Sequence, residues 1–166
     1  GGRIWVNSGH VRHGIRRMNH TDLHFLELTE VAHLIQTRKV SPVELTQAML
    51  ERVEALDRRL HAYALPTPEL ALEQARKAED EIMKRRYRGP LHGVPVSIKE
   101  NVDQAGCATT NGVVAFRDVI AREDSPVVAN LKAAGAVIIG RTNTPAFSFR
   151  LDTENELRGR TVSPWS

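Results

Sequence analysis

The stretch that most restricts the fold is "AVIIG", residues 136–140. An unbroken apolar run of this length, closed by glycine, fits a strand covered on both faces, and such strands belong to parallel sheets. The residues before it point the same way. "SPVVANLKAAG", 125–135, opens on a capping serine and a proline and closes on glycine, which predicts a helix. Further back, Val94, Val96 and Ile98 alternate with Pro95 and Ser97, the period of a strand over 94–98. Strand, connection, helix and strand in that order make a parallel crossover unit. The loops beyond the carboxyl ends of such strands gather at one sheet edge, where ligands bind.

The N-terminal half predicts helices to cover this sheet. "SPVE", 41–44, places Ser41 as cap, Pro42 at the first helical position and Glu44 as the far arm of a capping box. Leu45, Met49, Val53 and Leu56 then form one apolar stripe, carrying the helix to about residue 57. "TPEL", 67–70, repeats the device ahead of Ala71, Ala75, Ala78 and Ile82. A shorter helix is predicted through Leu28, Val31, Ala32 and Ile35, with Thr21 or Thr29 near its start. "LHAYAL", 60–65, reads as a short strand. "KRRYR", 84–88, reads as a solvated helix C-terminus, where cations favour the macrodipole, stopped by Gly89-Pro90. The expected class is α/β, with helices around a mixed, partly parallel sheet.

Charge and composition narrow the function. The net charge is +3, but Arg3, Arg12, Arg16 and Arg17 stand in the first 18 residues with no acid, so the rest is nearly neutral. Nucleic acid is therefore not an expected partner. Residues 1–20 are read as a basic extension and 21–166 as the folded part, with residues 1–17, which lack a periodic apolar face, dispensable for stability. Met18 directly follows the basic stretch and reads as a natural start. No apolar run is long enough for a bilayer, so no membrane segment is expected. Cys107 is the only cysteine, which excludes an internal disulfide and fits a cytoplasmic location.

Lys99 is the residue that invites chemistry. It follows the strand at 94–98 directly, so it points beyond a strand end into the presumed crevice, with Thr142 and Asn143 of the second strand's loop beside it. A lysine works as base or nucleophile only when neutral, which a desolvating pocket must impose. Spacing alone favours the plainer reading, an exposed lysine paired with Glu100 or Asp103.

The wording of the segment adds a resemblance. "GPLHGVPVSIKENVDQAGCATTNG", 89–112, resembles the amidase signature family, whose members use a serine, a second serine in a cis peptide, and a lysine. The likeness continues through "SPVELTQAMLERVEAL", "SPVVANLKAAGAVIIGRTNTPAFSF" and "GRTVSPW", over about residues 24–165. It implies that Lys99 is the triad lysine of a hydrolase of carbon–nitrogen bonds in small amides, needing neither metal nor organic cofactor. Glu100 replaces the family's commoner aspartate, Asn101 is retained, and Ala146 stands where many members have glutamate. The family's glycine- and serine-rich segment, source of both serines and of the oxyanion donors, has no counterpart in this sequence. The resemblance thus implies the N-terminal portion of an amidase, inactive alone, with Lys99 exposed and with apolar surface that favours self-association. The alternative is a non-catalytic binding or assembly piece.

The remaining candidates read as structural. His92 is framed by no serine or carboxylate motif, and His10, His13, His20 and His24 lack the cysteines or ordered ligands of a zinc site. Cys107 reads as a buried small hydrophobe, and Thr109, Thr110 and Asn111 as crevice lining or loop satisfaction.

Overall fold

The computed structural model describes residues 23–165, so the basic extension lies outside the described residues, with His10, His13 and His20. The chain runs α1 (Leu28–Gln36), α2 (Pro42–Leu60), β1 (Tyr63–Pro66), α3 (Pro68–Met83), β2 (Pro95–Lys99), α4 (Pro126–Ala133), β3 (Val137–Thr142), then β4 (Glu154–Asn155) and β5 (Gly159–Arg160). The main sheet has the order β1-β3-β2. β2 pairs with β3 in parallel and β1 pairs with β3 antiparallel, so the sheet is mixed, as its sequence predicted. β4 and β5 form a separate antiparallel pair.

β3 is central because its side chains require cover on both faces. Val137, Ile138 and Ile139 are all buried. Val137 and Ile139 pack with Ala71 and Ala75 of α3, and Ile138 packs with Ile98 and Val128 on the other side. Each large aliphatic side chain so buried contributes roughly 1.5–3 kcal/mol. The alanine face of α3 lets that helix approach β3 closely, and Leu45 and Ala48 of α2 join Val31, Ile35 and Ile82 in a second cluster.

The capping signals resolve unequally. Ser41 Oγ accepts from the amides of Val43 (3.0 Å) and Glu44 (3.2 Å), which forms the serine arm of the capping box, and its hydroxyl donates to Glu79. Ser125 Oγ accepts from Val128 N at 3.4 Å. Thr67 does not cap α3; its hydroxyl leans toward the Ile138 carbonyl at 3.4 Å, drawn across the sheet instead. α1 begins behind Glu27 without a side-chain cap. α3 ends at Met83, so the cations of "KRRYR" lie past its last turn, and Arg85 is left-handed with φ 61°. Two of them are paired, Lys84 with Asp80 and Arg88 with Glu81.

Candidate active site

Lys99 is the last residue of β2, and its register partner on the parallel strand β3 is Thr142, also a last residue. The amide of Glu100 donates to the Thr142 carbonyl at 2.9 Å, which ties the two strand ends together. Alternation along β2 buries Ile98 and turns Ser97 and Lys99 outward together. Lys99 is exposed, and among the described residues its ammonium has no hydrogen bond or ion pair. Ser97, the hydroxyl on its own face, is engaged with Tyr63 Oη of β1 at 2.7 Å.

The pairing of Lys99 with Glu100 or Asp103 does not form. Glu100 points the opposite way, into the protein, at 1% exposure. Its Oε1 accepts from Arg158 Nη2 at 2.9 Å and Nε at 3.3 Å. Beside it Arg141 is equally buried and donates from Nη2 to the carbonyls of Glu100 (2.9 Å) and Ala108 (3.2 Å). Burial disfavours the Arg141 charge, and these carbonyls and the nearby acidic groups hold it in place.

Asn143 is not a crevice group either. Its Oδ1 accepts from the amide of Thr144 (2.9 Å) and from Asn155 Nδ2 (2.8 Å), while its Nδ2 donates to the Gly159 carbonyl and to Thr161 Oγ1. It anchors the strap formed by residues 151–162. Asn101 instead reaches the loop after β3: its Nδ2 donates to Ser148 Oγ at 2.9 Å, and Ser148 Oγ lies 2.9 Å from Thr144 Oγ1. Phe147 and Ser148, both left-handed (φ 54° and 59°), are held there by Phe147 N donating to the Asn111 carbonyl. Phe116 meets Phe147 edge to face, and Phe147 lies tilted against Phe149, which is 88% exposed.

Of the other candidates, His24 bonds the Ala48 carbonyl at 2.9 Å, Thr110 Oγ1 accepts from Gly112 N, and Cys107 is half-buried rather than buried. His92 is fully buried at the far end of the sheet. Among the described residues no group of three or more His, Cys, Asp or Glu could hold a metal ion, and no helix is long and apolar enough to cross a membrane. The residues missed from sequence are Glu100, Arg141 and Arg158, and only the departure at Glu100 hinted at them.

The segment that carries Lys99 is matched in sequence by a family model. The model described as Amidase covers residues 44–166. The chain belongs to the amidase family. An indoleacetamide hydrolase of Bradyrhizobium diazoefficiens is 47% identical over 136 residues, covering 82% of this chain and 26% of that amidase. An acylamidase of Rhodococcus erythropolis is 34% identical over 148 residues, covering 89% of this chain and 31% of its own length. Among solved amidase structures, the native peptide amidase of Stenotrophomonas maltophilia superposes with a TM-score of 0.78 at 33% identity, over 86% of this chain and 30% of that one. Fatty acid amide hydrolase gives 0.84 at 26% identity, over 88% and 26%. The chain thus spans between a quarter and a third of the length of these amidases.

Proposed function

We propose that Lys99 is the base of a serine-dependent amide hydrolase acting on small carbon–nitrogen amides. The observation that carries this reading is the exposed Lys99 at the carboxyl end of β2, opposite Thr142 and uncommitted among the described residues. Its adjacent carboxylate, Glu100, is turned away and spent on Arg158.

In the proposed reaction a neutral lysine takes a proton, through a bridging serine, from a nucleophilic serine that attacks the amide carbonyl. The amide C–N bond breaks as the proton passes to the leaving amine, and water then releases the acid from the acyl-enzyme. Ser97 does not fill the nucleophile's place, because its hydroxyl is engaged by Tyr63. The 166-residue chain alone is therefore proposed to be inactive. A second reading, an assembly piece without catalysis, draws on the exposed Phe147, Phe149 and Leu151 beside the same crevice.

A graft tests the catalytic reading. Residues 24–165 replace the matching segment of the Bradyrhizobium diazoefficiens indoleacetamide hydrolase, and hydrolysis of its amide is measured. The graft is expected to be active, and Lys99→Ala within it to lose at least about a thousandfold in kcat/KM. A Lys99→Ala graft as active as its parent removes Lys99 from the mechanism.

A further inference from the structure

Lys99 and Glu100 are neighbours in the chain and carry opposite charges. Two adjacent side chains of this length meet when both turn to the same side, and in water such a pair attracts. Here they do not meet: Lys99 is exposed, while Glu100 lies inside at 1% exposure. What keeps them apart bears on the proposed chemistry. A carboxylate beside an ammonium favours its charged form, and only a neutral lysine accepts a proton.

The backbone fixes the turn but not the carboxylate. The amide of Glu100 donates to the Thr142 carbonyl at 2.9 Å, and the Lys99 carbonyl accepts from Val102 N at 3.0 Å. Neither bond reaches the Glu100 side chain. Its Oε1 accepts from Arg158 Nη2 at 2.9 Å and Nε at 3.3 Å, and its Oε2 is buried with no partner. The other titratable groups of this region are Arg141 of β3, with Asp103 and Cys107 of the loop after β2, both within electrostatic reach of Arg141. Arg141 is committed to other acceptors: Nη2 serves the Glu100 and Ala108 carbonyls, and Nη1 reaches Gln104 Oε1 at 3.5 Å. Asp103 is exposed and makes no ion pair among the described residues. One guanidinium, arriving from the strap 58 residues on, therefore holds the carboxylate inside.

A buried carboxylate without a cation is costly, so a Glu100 released by Arg158 turns to water. The Lys99 face of the strand end is the one open to solvent, and its ammonium has no hydrogen bond or ion pair among the described residues. We propose that Arg158 is a positioning residue for Lys99: by holding Glu100 inside, it stops the neighbouring carboxylate from capturing the ammonium that the reaction needs neutral. The proposal rests on Lys99 being the base and adds a condition to that reading. Arg158 has no bond to Lys99 and acts only through Glu100.

The first test uses the whole chain with ¹³C-labelled lysine. The Lys99 Cε signal, assigned by its absence in Lys99→Ala, is followed through a pH titration. In Arg158→Ala its midpoint is expected to rise above the parental one by roughly 0.3–0.7 pH unit, the size an exposed ion pair supports. Adding Glu100→Gln to Arg158→Ala is expected to return the midpoint to the parental value. A merely structural role for the pair would leave the double variant as disturbed as the single one. Arg158→Gln, which keeps a long side chain, reads the same shift should Arg158→Ala fail to fold. An unmoved Lys99 in the single variants, or a rise that persists in the double variant, overturns the proposal. The graft into the Bradyrhizobium diazoefficiens hydrolase then separates the two readings. Arg158→Ala in the graft is expected to lower kcat/KM at neutral pH about two- to fivefold, the same shift read as the neutral fraction of the lysine, and Glu100→Gln to restore it. A fully active Lys99→Ala graft overturns the base itself. A graft disabled by Lys99→Ala and untouched by Arg158→Ala overturns only the role of Arg158.

Discussion

Arg158 and Glu100 lie 58 residues apart in sequence, yet the guanidinium seals the carboxylate inside the protein, Nη2 to Oε1 at 2.9 Å. This pair is why Lys99 and Glu100, neighbours in sequence, have opposite fates. One faces water and the other is tied to the strap at 151–162. Arg158→Ala leaves a carboxylate of 2% side-chain exposure without its partner. Breaking a fully buried pair costs about 3–5 kcal/mol, and the third of the Arg158 side chain still in water reduces this to about 2 kcal/mol. Urea denaturation of Arg158→Ala and of Glu100→Gln gives the comparison; the glutamine, carrying no charge, should be the less damaging of the two.

Lys99→Ala should change stability by less than about 0.5 kcal/mol, since the side chain is exposed and has no partner among the described residues. The same unfolding measurement checks this. A clear loss would mean that the lysine serves the fold, and the catalytic assignment would lose its main support. In parallel, a fluorophosphonate should label no serine of the chain; specific labelling of one would identify a nucleophile in the present sequence.

Acid should weaken the far end of the sheet in two separate steps. Burial pushes the His92 imidazole below its usual range, with the Glu81 carboxylate pulling only partly back. The unfolded chain therefore takes up the proton first, and the His92 contribution, complete above about pH 6.5, is lost as pH falls below that value. Protonation would also set an Nδ1–H against the Arg88 amide, two donors facing each other. Glu81 shifts the other way: the Arg88 hydrogen bonds hold its carboxyl below the ordinary carboxylate range. Its contribution persists above about pH 4.3 and is lost only at lower pH, through its own depressed value. Urea midpoints between about pH 8 and pH 5 should decline in the parent and stay flatter in His92→Gln.

Gly135 and Gly106 share a φ of 81° but not their surroundings. A Cβ at Gly135 strikes the His92 ring at 2.3 Å, whereas one at Gly106 meets nothing within 4 Å. Gly106→Ala should cost only the strain of a left-handed backbone, about 1 kcal/mol. Gly135→Ala adds overpacking, a further ~1–3 kcal/mol, because ring and helix must move. Melting temperatures of the two variants decide it: equal losses would show that the ring yields freely.

How much of this was legible in the sequence depended on how local each cause was. β3 declared itself, because five consecutive apolar or glycine positions leave few alternatives to a strand covered on both faces. The helices at Pro42 and Pro126 did too, since their caps are written within four residues. Thr67 had the same spelling and failed, because a carbonyl across the sheet competed for its hydroxyl. Lys99 could be placed at a strand end from alternation alone, but the turn of Glu100 inward depends on Arg158, which no period connects to it. Asn143 was misread for the same reason: its partners Asn155, Gly159 and Thr161 lie in a strap whose strands are two residues long, too short for any pattern.

The sheet order β1-β3-β2 carries a consequence for how the chain comes off the ribosome. β1 and β2 never pair with each other; each bonds only to β3, the last of the three to be synthesised. Until Thr142 has emerged, neither earlier strand has a partner, and only the helices have local contacts from which to start. The nascent polypeptide must therefore carry two open strand edges until β3 emerges, and the arrival of that one six-residue strand then closes both ladders at once. Slow decoding between residues 99 and 137 would prolong that interval, making this stretch of message the one where translation speed bears most directly on yield.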